Sequence, residues 1–191
     1  KQMWSRYCLL MIKFAIFEER IAKNPENARQ VYHNIINKIP HKKFTFSRLW
    51  ILYAFFEIRQ DSLNTARTLL GYAIGTCPRA AIFDAYIEIE SLLGERENVK
   101  KLYDQFISLI PNDFRSWVKY AQFEFQLDNI EKARDLFERA IESHQVEATD
   151  LLWAYYIDFE IQAGNPDNIR NLYRRSIEAN NKLRLWQGLI Y

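Results

Sequence analysis

Glycine and proline are scarce in this chain, five of each in 191 residues. That shortage excludes a loop-rich or disordered class. Cysteine occurs only at Cys8 and Cys77, each inside an apolar segment. Such spacing offers no disulfide framework and points to a reducing compartment, cytosol or nucleus. Long hydrophobic runs are missing as well. The longest, Cys8 to Ile12, stops at Lys13, far short of the roughly 18 residues a membrane span needs. No small-residue cleavage site follows the N-terminal segment, so no signal peptide is expected. Neither sign of charge dominates: the net charge of +2 neither demands nor excludes a nucleic-acid partner. Glycine-rich nucleotide cradles are absent. His33, His41 and His144 are far apart, with no cysteine or carboxylate at metal-ligand spacing. No catalytic, cofactor or metal site is therefore expected, and the chain is not read as an enzyme.

Hydrophobic residues, in contrast, make up 49% of the chain and aromatics 15%, ample material for a core. They recur in a set. Trp50, Tyr53, Phe56 and Glu57 return as Phe83, Tyr86, Ile89 and Glu90, as Trp117, Tyr120, Phe123 and Glu124, and as Trp153, Tyr156, Phe159 and Glu160. A weaker first copy is Met11, Phe14, Phe17 and Glu18. About ten residues after each set comes a second signature: a small or apolar residue, a base at Arg29, Arg67, Lys100, Arg134 or Arg170, then two apolar residues.

Both signatures have the i, i+3, i+4, i+7 spacing of one helix face. Each copy is thus expected to be two helices, A and B, separated by a short polar break. Asn24 before Pro25 and Asn165 before Pro166 read as helix caps followed by proline at the first helical position. Pro40, Pro78 and Pro111 read as B-helix stops. A helix pair with a bulky stripe cannot bury it alone and needs a stacked neighbour. The expected fold is an all-α, right-handed α-α superhelix in a single array over 1–191. Its repeats are placed at approximately 1–40, 41–78, 79–111, 112–145 and 146–181, with a partial sixth at 182–191 beginning on Trp186. The first residue is Lys1 and the last pattern breaks off at Tyr191. The chain is therefore expected to be a fragment of a longer protein, with exposed ends that drive a homodimer.

The recurring glutamate sits on the aromatic stripe, one i, i+7 step above the tryptophan. A carboxylate there is expected to be buried, and a buried carboxylate needs a partner. Each is expected to meet a B-helix base or backbone donors from its own or an adjacent repeat. Lys100 cannot make the bidentate contact of arginine, so its joint is expected to be looser. Recurrence itself favours architecture: a catalytic group is needed once, a joint in every repeat. Trp50, Tyr53, Phe56, Glu57, Arg67, Glu90, Trp117, Tyr120, Glu124, Arg134, Trp153, Tyr156, Glu160 and Arg170 are accordingly read as repeat-motif residues.

Two basic patches are candidate contacts for a partner or RNA. Lys42 and Lys43 lie in His41-Lys-Lys-Phe-Thr-Phe46 beside two phenylalanines, and Arg174 and Arg175 follow Arg170. Charge for phosphates beside an aromatic for stacking is the RNA reading; a solvated helix face is the plainer one.

The two signatures resemble the HAT repeat, the half-a-TPR module of RNA-processing proteins, over nearly the whole chain. IPHKKFTFSRLWILYAFFEIRQ (39–60), AIGTCP (73–78), YIEIE (86–90), YIDFE (156–160) and RNLYRR (170–175) more specifically resemble the crooked-neck family of pre-mRNA splicing factors. Met11 and Phe83 depart from the tryptophan of the pattern. The resemblance implies a nuclear protein–protein scaffold of the spliceosome, within the nineteen complex, with other spliceosomal proteins as partners and spliceosomal RNA as an alternative contact. A HAT scaffold of mRNA 3′-end processing is the other family-level reading.

Overall fold

The structure, a computed structural model, describes residues 2–41, 46–143, 146 and 149–188, with side chains placed at 3–41, 46–143, 146 and 150–179. Ten helices run in order along these residues: α1 (Gln2–Arg20), α2 (Pro25–Lys38), α3 (Ser47–Arg59), α4 (Leu63–Thr76), α5 (Ala80–Leu92), α6 (Arg96–Leu109), α7 (Phe114–Gln126), α8 (Ile130–Glu142), α9 (Thr149–Ala163) and α10 (Pro166–Gly188). The odd-numbered helices carry the aromatic–glutamate set and the even-numbered ones the basic signature. Helices α1 to α8 fall pairwise inside the first four expected repeats. α10 overruns the fifth: it continues unbroken to Gly188, so no break separates residues 182–188 from the preceding B helix.

The expected stop signals act where proline chemistry puts them. α2, α4 and α6 end at Lys38, Thr76 and Leu109, each two residues before a proline that cannot continue the ladder. At the starts, Asn24 Oδ1 accepts the Asn27 N–H at 3.1 Å and Asn165 Oδ1 accepts that of Asn168 at 3.3 Å, each capping a helix whose first residue is proline. Asp113 caps α7 through the Arg115 N–H.

Inside every pair the A helix ends in the same way. One residue of each turn takes the left-handed conformation: Lys23, Asp61, Gly94, Asp128 and Gly164. The next backbone N–H, of Asn24, Ser62, Glu95, Asn129 or Asn165, then donates to the carbonyl of Glu18, Glu57, Glu90, Glu124 or Glu160, at 2.9–3.4 Å. After α3, α5, α7 and α9 the bond spans five residues, the Schellman closure, which satisfies a carbonyl the helix end would leave orphaned; the turn after α1 is one residue longer. The motif glutamate therefore holds a fixed place in the turn, which keeps its side chain in register with the following B helix.

The helices group into two compact units, residues 1–102 and 103–191, with α6 crossing the boundary. In the first unit α2 packs on α1 and α3, and α4 on α3 and α5. In the second α8 packs on α7 and α9, and α10 on α9. Fully buried side chains mark the cores: Tyr32, Trp50, Phe56, Leu70 and Phe83 in the first unit, Phe106, Tyr120 and Phe137 in the second. Burying one such side chain stabilises by about 1.5–3 kcal/mol. Cys8 and Cys77 are buried free thiols, and burial pushes the Cys8 thiol up, which makes it less reactive.

Candidate functional site: the joints between repeats

Where a B helix meets the next A helix, an ion pair and a ring stack recur, the two together at the α2–α3 and α8–α9 junctions. At the junction of α2 and α3, Arg29 Nε and Nη2 donate to the two carboxylate oxygens of Glu57 at 2.8 and 3.1 Å. Three residues further along α2, Tyr32 lies flat on Tyr53, with ring centroids 5.0 Å apart and planes 7° from parallel. At the junction of α8 and α9, Arg134 clamps Glu160 at 2.7 and 3.1 Å, and Phe137 stacks on Tyr156 at 4.8 Å and 7°. Between α4 and α5, Arg67 clamps Glu90 at 2.7 and 2.8 Å. Leu70 stands there in the aromatic position. Tyr103 and Tyr120 repeat the stack at 5.0 Å and 8°.

Helix geometry explains the coupling. Arg29 and Tyr32 are three residues apart on α2, and Tyr53 and Glu57 four apart on α3, so each pair shares a face. Glu57, Glu90, Glu124 and Glu160 are all buried, and Arg29, Arg67, Lys132 and Arg134 are the bases they meet. Fork-to-fork contact with two parallel hydrogen bonds is the geometry that makes such burial tolerable. Burial pushes Glu90 up, but the hydrogen bonds from Arg67 and Asn98 outweigh it and hold its pKa below the usual carboxylate range. Hydrogen bonding to Glu57 pushes Arg29 up, against its own desolvation. Burial pushes the Tyr32 hydroxyl up to about 12.

Glu124 meets a different base. Lys132 Nζ of α8 lies 2.8 Å from its Oε1, and Asn129 donates to Oε2 at 2.8 Å. The same lysine sits 5.2 Å from the centre of the Tyr120 ring. Burial lowers Lys132, but Glu124 and Tyr120 outweigh it, and its pKa rises. Lys100, the expected base, lies 3.5 Å from Glu97 in its own helix. Arg170 departs in another way: it pairs with Asp167 at 3.1 Å and is 73% exposed.

Several partners were not legible in the spacing. Asn98 donates to Glu90 at 2.9 Å and Asn168 to Glu160 at 3.5 Å, both eight residues on, across the turn. At the first joint Arg59 makes a bidentate contact with Glu19, one position past the motif glutamate. Arg175, read from sequence as a candidate contact, makes two hydrogen bonds of 2.7 and 2.6 Å to Glu138. It also lies 5.3 Å from the centre of the Trp153 ring. Glu138 accepts the Tyr156 hydroxyl as well, and these bonds, the Arg175 pair foremost, hold it below the usual range. Arg174 is exposed. Lys42 and Lys43 lie outside the described residues. Trp117 is fixed by its indole N–H donating to the Pro111 carbonyl, and Trp50 is buried against His41. Among the described residues no group of three or more histidine, cysteine or carboxylate side chains could hold a metal ion. No described helix is long and apolar enough to cross a membrane.

Comparisons with known proteins agree with the repeat reading. The chain is 45% identical over 152 residues to crooked neck-like protein 1 of Homo sapiens, a match covering 80% of this chain and 18% of that protein. It is 43% identical over 152 residues to protein crooked neck of Drosophila melanogaster, with 80% and 22% covered. It is 45% identical over 141 residues to the pre-mRNA-splicing factor clf-1 of Neurospora crassa, with 74% and 20% covered. The chain thus spans about a fifth of the length of these relatives. Among solved structures, a tetratricopeptide repeat protein from Parabacteroides merdae aligns with a TM-score of 0.49 at 16% identity, over 95% of this chain and 68% of that one. Residues 1–186 match the family described as the pre-mRNA-splicing factor Syf1/CRNKL1 C-terminal HAT repeat. The chain belongs to that HAT-repeat family and is similar, within it, to the crooked-neck proteins.

Proposed function

We propose that this chain is a segment of a nuclear pre-mRNA-splicing scaffold that acts by protein–protein contact, as a component of the nineteen complex. The observation that carries the reading is the fate of the charged ladder. Glu57, Glu90, Glu124 and Glu160 are buried and held by Arg29, Arg67, Lys132 and Arg134. Groups consumed in this way build a stack of helices with fixed mutual register; they are not poised to transfer protons or grip phosphate. Such a stack presents long ordered surfaces for partner helices. The relatives named as splicing factors supply the process, and with it the nuclear compartment and spliceosomal partners.

Direct RNA contact is the second reading. Arg174 is exposed, but Arg175 is spent on Glu138, so the second basic patch offers less charge to phosphate than its sequence promised. Names of splicing factors among the relatives weigh against a scaffold of 3′-end processing. A pull-down of the tagged chain from nuclear extract, with and without RNase, decides. Spliceosomal proteins retained after RNase support the scaffold. Loss on RNase, together with sensitivity to Lys42→Glu and Lys43→Glu and a steep salt dependence, supports RNA contact. Cleavage and polyadenylation factors in their place would overturn the splicing assignment.

A further inference from the structure

The second B helix differs from the others on its outer face. Aligned on the base of each signature, Arg67 with Arg134, α4 has Asn64, Thr68, Gly71, Tyr72 and Gly75 where α8 has Glu131, Asp135, Glu138, Arg139 and Glu142. These positions, at i, i+4, i+7, i+8 and i+11, share one face of the helix. On α4 all of them are exposed, Tyr72 at 62%. The one charged residue of α4, Arg67, is held by Glu90, so the face carries no charge along its whole length. α4 lies inside the first compact unit, with helices of that unit before and after it. Its exposure therefore does not come from an end of the chain.

Two residues of that face are glycines inside a helix, where each weakens the helix relative to alanine. A Cβ added at Gly71 or Gly75 would meet nothing within 4 Å, so packing within the chain gives no reason for either. Their spacing of four is that of small residues that let a second helix backbone approach closely. Beside them opens a groove of about 370 Å³, lined among others by Ile36, Ile39, Trp50, Leu69 and Tyr72. Trp50 is 1% exposed, and its indole N–H has no hydrogen-bond partner, whereas that of Trp117 is satisfied by a carbonyl. A buried donor without an acceptor costs free energy until something supplies one.

We propose that this face of α4 docks an α-helix of another spliceosomal protein. The helix crosses at Gly71 and Gly75, takes Tyr72 against its flank, and fills the groove with an apolar side chain. The chemistry of α4 sets its character. With no charge on α4 to pair, a charged residue at the crossing would be buried alone, so the partner's contact face is apolar or small and uncharged. A hydroxyl or amide oxygen beside the apolar anchor accepts the Trp50 N–H. The inference rests on the scaffold reading above and names one of its docking surfaces, a helix laid in a groove.

Photo-crosslinking tests this, with Tyr72→p-benzoylphenylalanine in the tagged full chain and RNase-treated nuclear extract as the probe. The expected adduct joins position 72 to a helical segment of a splicing protein whose residues at i, i+3, i+4 and i+7 are uncharged. The same label in place of Lys101, which stands on α6 where α4 has Thr68, is expected not to capture that segment. Gly71→Leu and Gly75→Leu are expected to cut the adduct by about tenfold or more. They are also expected to leave the melting temperature of the free chain unchanged or raised, because their side chains enter open space and a helix favours leucine over glycine. Glycines needed only for the fold would lower it. No adduct, an adduct to RNA, to a second copy or to a charged segment, or one indifferent to both glycine substitutions overturns the inference. Its failure is distinct from that of the scaffold reading. Splicing proteins retained after RNase equally by the unmodified chain and by the glycine variants would remove the α4 surface alone; an unmodified chain that retains none would remove both.

Discussion

Arg29 and Glu57, 28 residues apart, face each other fork to fork, while three residues along the same helix Tyr32 lies flat on Tyr53. A charged contact and an apolar one thus work as neighbours on one helix–helix seam. The rings exclude water from the edge of the ion pair, which strengthens the pair, and the fork fixes the register in which the rings meet.

Breaking one half of such a pair leaves a buried charge behind. Arg67→Ala is expected to destabilise the chain by about 3–5 kcal/mol, because Glu90 then keeps only Asn98 in a site with no solvent exposure. Replacing both partners, Arg67→Met with Glu90→Leu, is expected to recover most of that loss, since an apolar pair carries no desolvation cost. Urea unfolding of the single and double variants checks both expectations. A double variant as unstable as the single one would show that the ion pair itself supplies the stability.

Equivalent ring positions differ sharply in burial, Tyr32 at 0% and Tyr173 at 50% exposure. Tyr32→Ala removes a fully buried ring and is expected to cost about 3–5 kcal/mol. Tyr173→Ala, at the register-equivalent but half-exposed position, is expected to change the stability of the dilute monomer by about 0.5–1 kcal/mol at most. Thermal unfolding at low concentration measures the contrast; equal costs would mean that Tyr173 is packed as Tyr32 is.

Turn chemistry gives a prediction of opposite sign at two equivalent sites. Lys23 has φ of 56° and Gly164 φ of 75°, a region that penalises any residue with a Cβ by roughly 1–2 kcal/mol. Lys23→Gly is expected to stabilise by about 1 kcal/mol, the strain relieved being partly offset by the entropy of the added glycine. Gly164→Ala is expected to destabilise by about 1 kcal/mol through the backbone alone, because a Cβ there meets nothing within 4 Å. Differential melting of the two variants settles the signs.

Acid should loosen the joints. Glu90 and Glu138 are held below their ordinary value of 4.5. A carboxylate with a depressed folded pKa contributes stability that is fully present above the unfolded value and is lost as pH falls through the folded one. The urea midpoint is thus expected to be flat in these two groups above about pH 5 and to fall progressively below pH 4.5. The Glu90→Gln variant, already lacking that contribution at neutral pH, is expected to show a shallower decline. An unchanged slope would remove Glu90 from the acid response.

The helix pairs and their stops were legible because each is a local pattern repeated along the chain; that a buried glutamate needs a base was legible from its place on the stripe, but the clamps span 28, 23 and 26 residues rather than a fixed offset. The identity of the base at Glu124 was not legible. Lys100 and Lys132 both lie within plausible chain distance, and offset alone does not say which cation a turn brings near. Lys132 prevails eight residues on, on the face of α8 that also meets Tyr120. Arg59–Glu19 and Arg175–Glu138 were missed for a related reason: they join repeats 40 and 37 residues apart, outside the ten-residue offset that defined the signature. The break expected before Trp186 was inferred from a single aromatic, with no cap or stop residue beside it, and α10 continues through it.

Glu57, Glu90 and Glu160 each close the following turn through the carbonyl and the preceding seam through the side chain, and this makes the repeat unequally tolerant of length change. From Glu57, Glu90, Glu124 and Glu160 to the following base position is ten residues in every case, whereas from Arg29, Arg67 and Arg134 to the glutamate each clamps is 28, 23 and 26. One residue inserted ahead of an A helix lengthens a loop. The same residue inserted inside the A–B turn rotates the whole B helix by about 100° relative to its partner, turning both base and ring away from the seam. Insertions and deletions should therefore accumulate between repeats and be purged within them.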